Sequence, residues 1–406
     1  VLAARRSLRS ILLALALAGG GAASLPGCGG ATAEGGGTST TPSENDAIDP
    51  EALVAFQAGV RDLGRPGRRA RDEAREHFEE ALRLSPGLWE ARYNLAYLDR
   101  TAGNLVAAAE GLEQARLIAP QSGDVLVALA EVRHALGDSA AASTLLRAYV
   151  GEHPDDLAAR VALATLLREA RDYDAALEQA RETLVRDPRN VRALAEVGRI
   201  YRAREQLEVA ELVFRKALEL GQSADVHNDL GLLELQRGDT QAAFEAFQRA
   251  IALDPTFSEA HENQGSVLLH AGDYAGAATE YRAVLERDPD DVEARVALGI
   301  CLRGQGEHQA AMREYEAALE RAPSHPGALF DAAVLRAEFL DQRPQSIELF
   351  QRFLAVAPGG VAQRELAERY VREITAEQNA PPPPPPSADE ATGESGDEGG
   401  GEPMDL

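Results

Sequence analysis

Lysine is almost absent: of 41 basic residues, only Lys216 is not an arginine. Basic residues are also outnumbered by 66 Asp and Glu, which leaves a net charge of -25 at pH 7. A surface that attracts nucleic acid or anionic lipid headgroups needs Lys and Arg in local excess, so both are disfavoured as partners. Cysteine is nearly as scarce. Cys28 and Cys301 alone cannot supply a disulfide framework or a thiolate metal site. The apolar run Ile11–Ala18 is too short to span a bilayer as a permanent helix. There is no Gly-rich phosphate loop and no Gly-x-Ser-x-Gly elbow, and no histidine pairs with Cys, Asp or Glu at a metal-binding spacing within one helix. No cofactor and no enzymatic activity are expected. What is present is 45% hydrophobic residues, enough to bury a core.

The ends differ from the middle. Arg5, Arg6 and Arg9 precede the apolar run, and residues 1–27 read as an export signal. Leu25-Pro26-Gly27-Cys28 resembles the bacterial lipobox, with Pro26 atypical at its place, and that resemblance implies cleavage before Cys28 and its lipidation. Residues 28–49 are rich in Gly, Ser and Thr and are expected to form a flexible tether. Gly29 stands where the resemblance would place an inner-membrane retention Asp, which implies the outer membrane and its periplasmic face. At the other end Pro381–Pro386 stops any helix. Ser387–Leu406 then carries seven acidic residues and no basic one, so residues 380–406 are expected to be a disordered tail.

Between the ends, proline recurs at Pro86, Pro120, Pro154, Pro188, Pro255, Pro289, Pro323 and Pro358. The first spacings are 34, and the gap of 67 after Pro188 holds Gln222 at the missing place. Twelve residues before each period end stands Ala74, Ala108, Ala142, Ala176, Ala210, Ala243, Ala277 or Ala311, then Ser346. Phe78, Leu112, Leu146, Ala180, Phe214, Phe247, Tyr281, Tyr315 and Phe350 follow four residues later. Ala96, Ala130, Ala164, Gly198, Gly231, Gly265 and Gly299 recur near the start. Two antiparallel helices approach closely only where Gly or Ala marks the crossing, and the large residue is expected to fill the gap between successive repeats. Turn glycines such as Gly103, Gly137, Gly238 and Gly272 separate the two helices, with Arg171 and Glu205 in that place in repeats four and five. The pattern predicts an all-α chain: nine helix-turn-helix repeats over residues 50–358 and a capping helix over 359–379.

This period and its residues resemble the tetratricopeptide repeat. The resemblance covers about three quarters of the chain and implies a superhelical solenoid whose first helices line a concave groove. It also implies protein–protein interaction rather than catalysis. Groove positions are then Tyr93 and Tyr97, Val127 and Glu131, Val161 and Arg168, followed by Arg192, Arg199 and Arg202. Asn228, Leu232, Glu262, Leu269, Val296, Ile300 and Arg303 continue the series. The spacing of Arg192, Arg199 and Arg202 puts three guanidinium groups on one helical face. With Arg168 they are expected to form a basic pocket for an acidic or amphipathic partner segment, with Tyr93 and Tyr97 as an apolar anchor. His227 and His261 occupy the same place in adjacent repeats and are expected to fill an aromatic slot. Anchor, repeats and acidic tail together resemble the tetratricopeptide lipoproteins of myxobacterial gliding motility, which implies a scaffold in an envelope-spanning complex. Pilotin lipoproteins, assembly chaperones for a type IV pilus or secretion secretin, resemble the chain in anchor and repeat type but are shorter.

Overall fold

The computed structural model describes residues 48–65, 67–359 and 362–379. The expected export signal, Cys28, most of the tether and the proline-rich acidic tail lie outside the described residues. Among the described residues the chain forms nineteen α-helices and no strand, an all-α solenoid of helix pairs. The first pair is α1 (Pro50–Leu63) and α2 (Arg68–Leu84). There follow α3 (Trp89–Thr101) with α4 (Leu105–Ile118), α5 (Gly123–Ala135) with α6 (Ser139–Glu152), and α7 (Leu157–Glu169) with α8 (Tyr173–Arg186). The middle pairs are α9 (Val191–Ala203) with α10 (Leu207–Leu220), α11 (Ala224–Arg237) with α12 (Thr240–Leu253), and α13 (Ser258–His270) with α14 (Tyr274–Arg287). Last come α15 (Val292–Gly304) with α16 (His308–Arg321), α17 (Pro326–Glu338) with α18 (Arg343–Val356), and α19 (Ala362–Gln378). The chain divides into two compact units that part between Cys301 and Leu302, inside α15.

Several turns work as a stop and a start. Gly238 ends α11 at φ 85°, a left-handed conformation open to glycine without a Cβ clash, and the next residue, Asp239, caps α12 by accepting from the Ala242 amide at 2.9 Å. Asp138, Asp156, Asp172 and Asp273 cap their helices in the same way. Arg171 and Glu205 replace glycine at the turn, yet they keep the left-handed backbone, at φ 62° and 61°. The hydrogen-bonded turn imposes the conformation on side chains that disfavour it.

The crossings sharpen one expectation. The large residue of the second helix packs toward the next repeat, Phe214 clustering with Val226 and Leu233 and Phe247 with Val267, and it also lies under the small residue of its own repeat. A Cβ added at Gly198 would run into the Phe214 ring, and one at Gly231 into the Phe247 ring, both well inside van der Waals contact. At Gly265 the added carbon would stand 3.1 Å from the Tyr281 ring. Phe214 and Phe247 are fully buried, so the rings have nowhere to go. Where the crossing carries Ala96 or Ala130, the residue at the same place is Leu112 or Leu146, also buried. Volume is thus exchanged across the crossing, methyl for ring, so that packing stays close.

In the second unit, Phe350 stacks on Tyr370 of α19 at 4.9 Å between centroids and 9° between planes. Phe330 meets Phe353 at 5.1 Å, and Ala367 and Ile374 bury the inner face of α19. This helix closes the apolar face that the ninth repeat would otherwise expose.

Candidate protein-binding groove

Within the first unit, first helices α3, α5, α7, α9 and α11 turn one face toward a common cavity of about 810 Å³. Tyr93, Tyr97, Arg168, Arg192 and Arg199 line it together, as do Val127, Glu131 and Val161. Arg202 is not among the lining residues. Cys28 lies outside the described residues. The Arg100 guanidinium lies 6.0 Å from the Tyr97 ring centroid, which places a cation on an aromatic face beside the apolar end of the groove.

The arginines are not a purely basic pocket, and here the sequence reading is corrected. Ion pairs link several neighbouring helices along the array. Arg75 of α2 meets Asp99 of α3 at 2.6 Å, and Arg100 of α3 meets Glu131 of α5 at 2.7 Å. Arg168 donates from Nε to Glu196 at 2.6 Å, and Arg199 donates from Nε to Asp229 at 2.7 Å. Glu196, whose side chain has 0% exposure, also lies 3.4 Å from Arg199, so one buried carboxylate is held between two guanidiniums. The cavity lining carries seven arginines against six carboxylates, nearly balanced inside a chain of net charge -25.

Burial and pairing set the charge states. Burial opposes the Arg199 charge, but Asp229 and Glu196 outweigh it and raise its pKa further. Burial pushes the Glu131 carboxyl upward against the pull of Arg100. Arg192 and Arg202 differ from their neighbours: neither makes an ion pair or side-chain hydrogen bond among the described residues, and burial lowers the pKa of both. The Nε of Arg202 is buried without a hydrogen-bond partner. Of the four arginines, Arg192 is the unpaired cation that lines the cavity, and Arg202 is unpaired beside it on α9 without lining the cavity. Farther along, Glu262 of α13 is pushed up to about 7, first by burial and then by Asp291 and Glu259.

The two histidines of adjacent repeats do not share a ligand site. His227 Nε2 lies 2.9 Å from Gln222 Oε1, whereas His261 faces an acceptor on each ring nitrogen: Glu280 at Nδ1, 2.6 Å, and the Pro255 carbonyl at Nε2, 3.1 Å. Two acceptors favour the imidazolium. Accordingly the Glu280 hydrogen bond raises the His261 pKa, while burial lowers that of His227. Cys301 is fully buried and its thiol is pushed up to about 11 by that burial, which leaves it a poor nucleophile.

Helix pairs of this period are matched by two family profiles, both for the tetratricopeptide repeat. One covers residues 161–225, 205–256, 228–289 and 262–326, the other 99–167. Together they span residues 99–326, more than half of the chain. The chain belongs to the tetratricopeptide repeat family.

Solved tetratricopeptide structures similar to the chain include YrrB, described as a protein with an unusual peptide-binding site. It is 25% identical, with 45% of this chain and 95% of that one covered at a TM-score of 0.35. Pseudomonas aeruginosa pilF is 20% identical over 54% of this chain and 97% of its own, TM-score 0.45. The APC/C hetero-tetramer Cut9–Hcn1 is 16% identical over 77% of this chain and 63% of that one, TM-score 0.49. No curated protein matches the chain significantly in sequence. The matched stretch leaves out the first and last tetratricopeptide pairs, and both have unusual turns: Gly67 takes φ 97° before α2, and Asp341 takes φ 52° in the last.

Sequence reasoning missed Glu196 and Asp229, the residues that neutralise Arg168 and Arg199. A signal existed. Each partner lies 28 to 30 residues from its arginine, just under one repeat, which is the offset of facing positions on neighbouring first helices.

Proposed function

We propose that this tetratricopeptide array is a non-enzymatic scaffold that holds an acidic or amphipathic segment of another envelope protein in the groove of its first unit. The observation that carries the reading is Arg192, which lines the groove without an ion pair where Arg168 and Arg199 already have theirs, with Arg202 likewise unpaired on the same helix. A carboxylate on the partner would satisfy them with charge-assisted hydrogen bonds, while Tyr93 and Tyr97 offer an amphipathic surface for an apolar side chain. The lipobox-like residues before Cys28 support lipid attachment at the periplasmic face of the outer membrane, and anchor, repeat array and tail together support a place in an envelope machine such as the gliding apparatus.

The test compares Arg192→Glu with Arg202→Glu together against Arg215→Glu, a control on α10, after circular dichroism shows both folded. Partner proteins captured from envelope extracts should be lost from the first and kept by the second, and capture should weaken as salt rises. Equal capture by both variants removes the groove cations from the mechanism. Separately, Cys28→Ser should abolish labelled-palmitate incorporation, since stable anchoring needs acyl chains that nothing else in the sequence supplies. Neighbouring genes separate the two machines: motility components favour the gliding reading, pilus components the pilotin one.

A further inference from the structure

The ion pairs described above join neighbours in the array, but one contact does not. Arg71 on α2 donates from Nη1 to Asp288 at 2.9 Å and from Nη2 to Asp290 at 3.1 Å, across 217 and 219 residues. Both carboxylates sit in the corner between α14 and α15, at the end of the seventh repeat, and the whole contact lies inside the first unit. The corner holds them in place: the Asp290 amide donates to Asp288 Oδ1 at 3.2 Å, and Asp291 caps α15 by accepting from the Ala294 amide at 2.9 Å. Arg71 and Asp288 both line the groove cavity. Repeats one and seven therefore meet in the lining of the cavity.

In a solenoid each repeat is stabilised by its immediate neighbours, so no repeat needs this contact in order to fold. Its side chains are 23% exposed on the arginine and 39% and 31% on the aspartates, exposed enough for salt and water to weaken the pairs. A contact that is dispensable for folding, reversible and set in the lining of a cavity between repeats far apart in the chain has the properties of a latch. We propose that Arg71 with Asp288 and Asp290 is an ionic clasp over the groove, and that an internal segment of a partner, lacking a free end to thread, enters only when the clasp opens. Salt then has two opposite effects. It speeds entry by opening the clasp, and it weakens the final hold on Arg192 and Arg202.

The experiment reads access without any partner, so its failure is separate from a failure of the proposed function. In a Cys28→Ser background, Thr165→Cys places a thiol on the cavity wall, while Cys301 stays buried and silent. The full chain is reacted with biotin-maleimide, either free or already bound to streptavidin. Arg71→Glu should raise the rate with the bulky reagent several-fold and leave the rate with the small one unchanged. Adding Asp288→Arg and Asp290→Arg to Arg71→Glu should restore the slow bulky rate, and high salt should mimic Arg71→Glu in the parent. An unchanged bulky rate in Arg71→Glu overturns the clasp. So does equal acceleration of both reagents, because that reports a loosened array rather than an opened entrance.

Discussion

Repeats two to four and repeats five to seven solve the same crossing in different ways. The earlier set crosses on Ala96, Ala130 and Ala164 and has Leu112, Leu146 and Ala180 on the second helix. The later set crosses on Gly198, Gly231 and Gly265 and tucks Phe214, Phe247 and Tyr281 beneath. What differs is which side of the crossing carries the volume, and repeat four, with Ala164 and Ala180, is small on both. Glu196 sits where the two sets join, reaching Arg168 of repeat four and Arg199 of repeat five.

The comparison can be broken most severely at that join. Glu196→Ala leaves two guanidiniums short of a buried partner, and such losses cost about 3 kcal/mol or more, to be read as a lower urea midpoint. Next is the crossing itself. Gly231→Ala should cost about 1 to 3 kcal/mol by overpacking against Phe247, whereas Ala130→Gly, which only removes a methyl, should cost about 1 kcal/mol. Combining Gly231→Ala with Phe247→Leu rebuilds the earlier type of crossing, and the pair should fall short of additivity by about 0.5 to 3 kcal/mol. Additive losses would mean that the ring and the glycine are independent.

The later repeats should also respond to pH, through Glu262 and His261. Glu262 has its pKa raised from 4.5 to about 7, so the folded chain holds a proton that the unfolded chain has released. Its contribution to stability is complete below pH 4.5 and is lost as pH rises through about 7. His261, raised by Glu280, acts with the same sign. The melting temperature should therefore fall from pH 5 to pH 8, and Glu262→Gln should flatten the slope; an unchanged slope places the titration elsewhere. The smallest effect is expected at the turns. Arg171→Gly and Glu205→Gly relieve a left-handed backbone and should each stabilise by about 0.5 to 1 kcal/mol, while Gly137→Ala should destabilise by about 1 kcal/mol.

The repeat register, the small crossing residues and the turn positions were legible in the sequence because each is a local demand repeated every 34 residues. Repetition makes such demands visible without any knowledge of the fold. The groove was legible only in outline. Placing Tyr93, Tyr97, Arg168, Arg192 and Arg199 on one wall needs the period alone, but knowing that Arg168 and Arg199 are spoken for needs the offset between facing helices. The assignment of the large residues to gaps between repeats told only half of their packing for a related reason: periodicity gives the place of Phe247 along the helix and not the crossing glycine that its ring also meets. Contacts of Arg71 with Asp288 and Asp290 were beyond reach, since they depend on how small rotations accumulate over seven repeats.

Exchange of volume at the crossings has a consequence for how such a chain can diverge. Passing from an alanine crossing to a glycine crossing takes two substitutions, and their order matters. Glycine first leaves a small void and costs about 1 kcal/mol; the ring first must be forced beneath a methyl, at about 1 to 3 kcal/mol. Against a total stability of about 5 to 15 kcal/mol, the first route is the more passable. Divergence of the repeats is thereby given a direction, with glycine as the stepping stone. No repeat from two to seven places a crossing glycine opposite a leucine, so the exchanges in this chain stand complete.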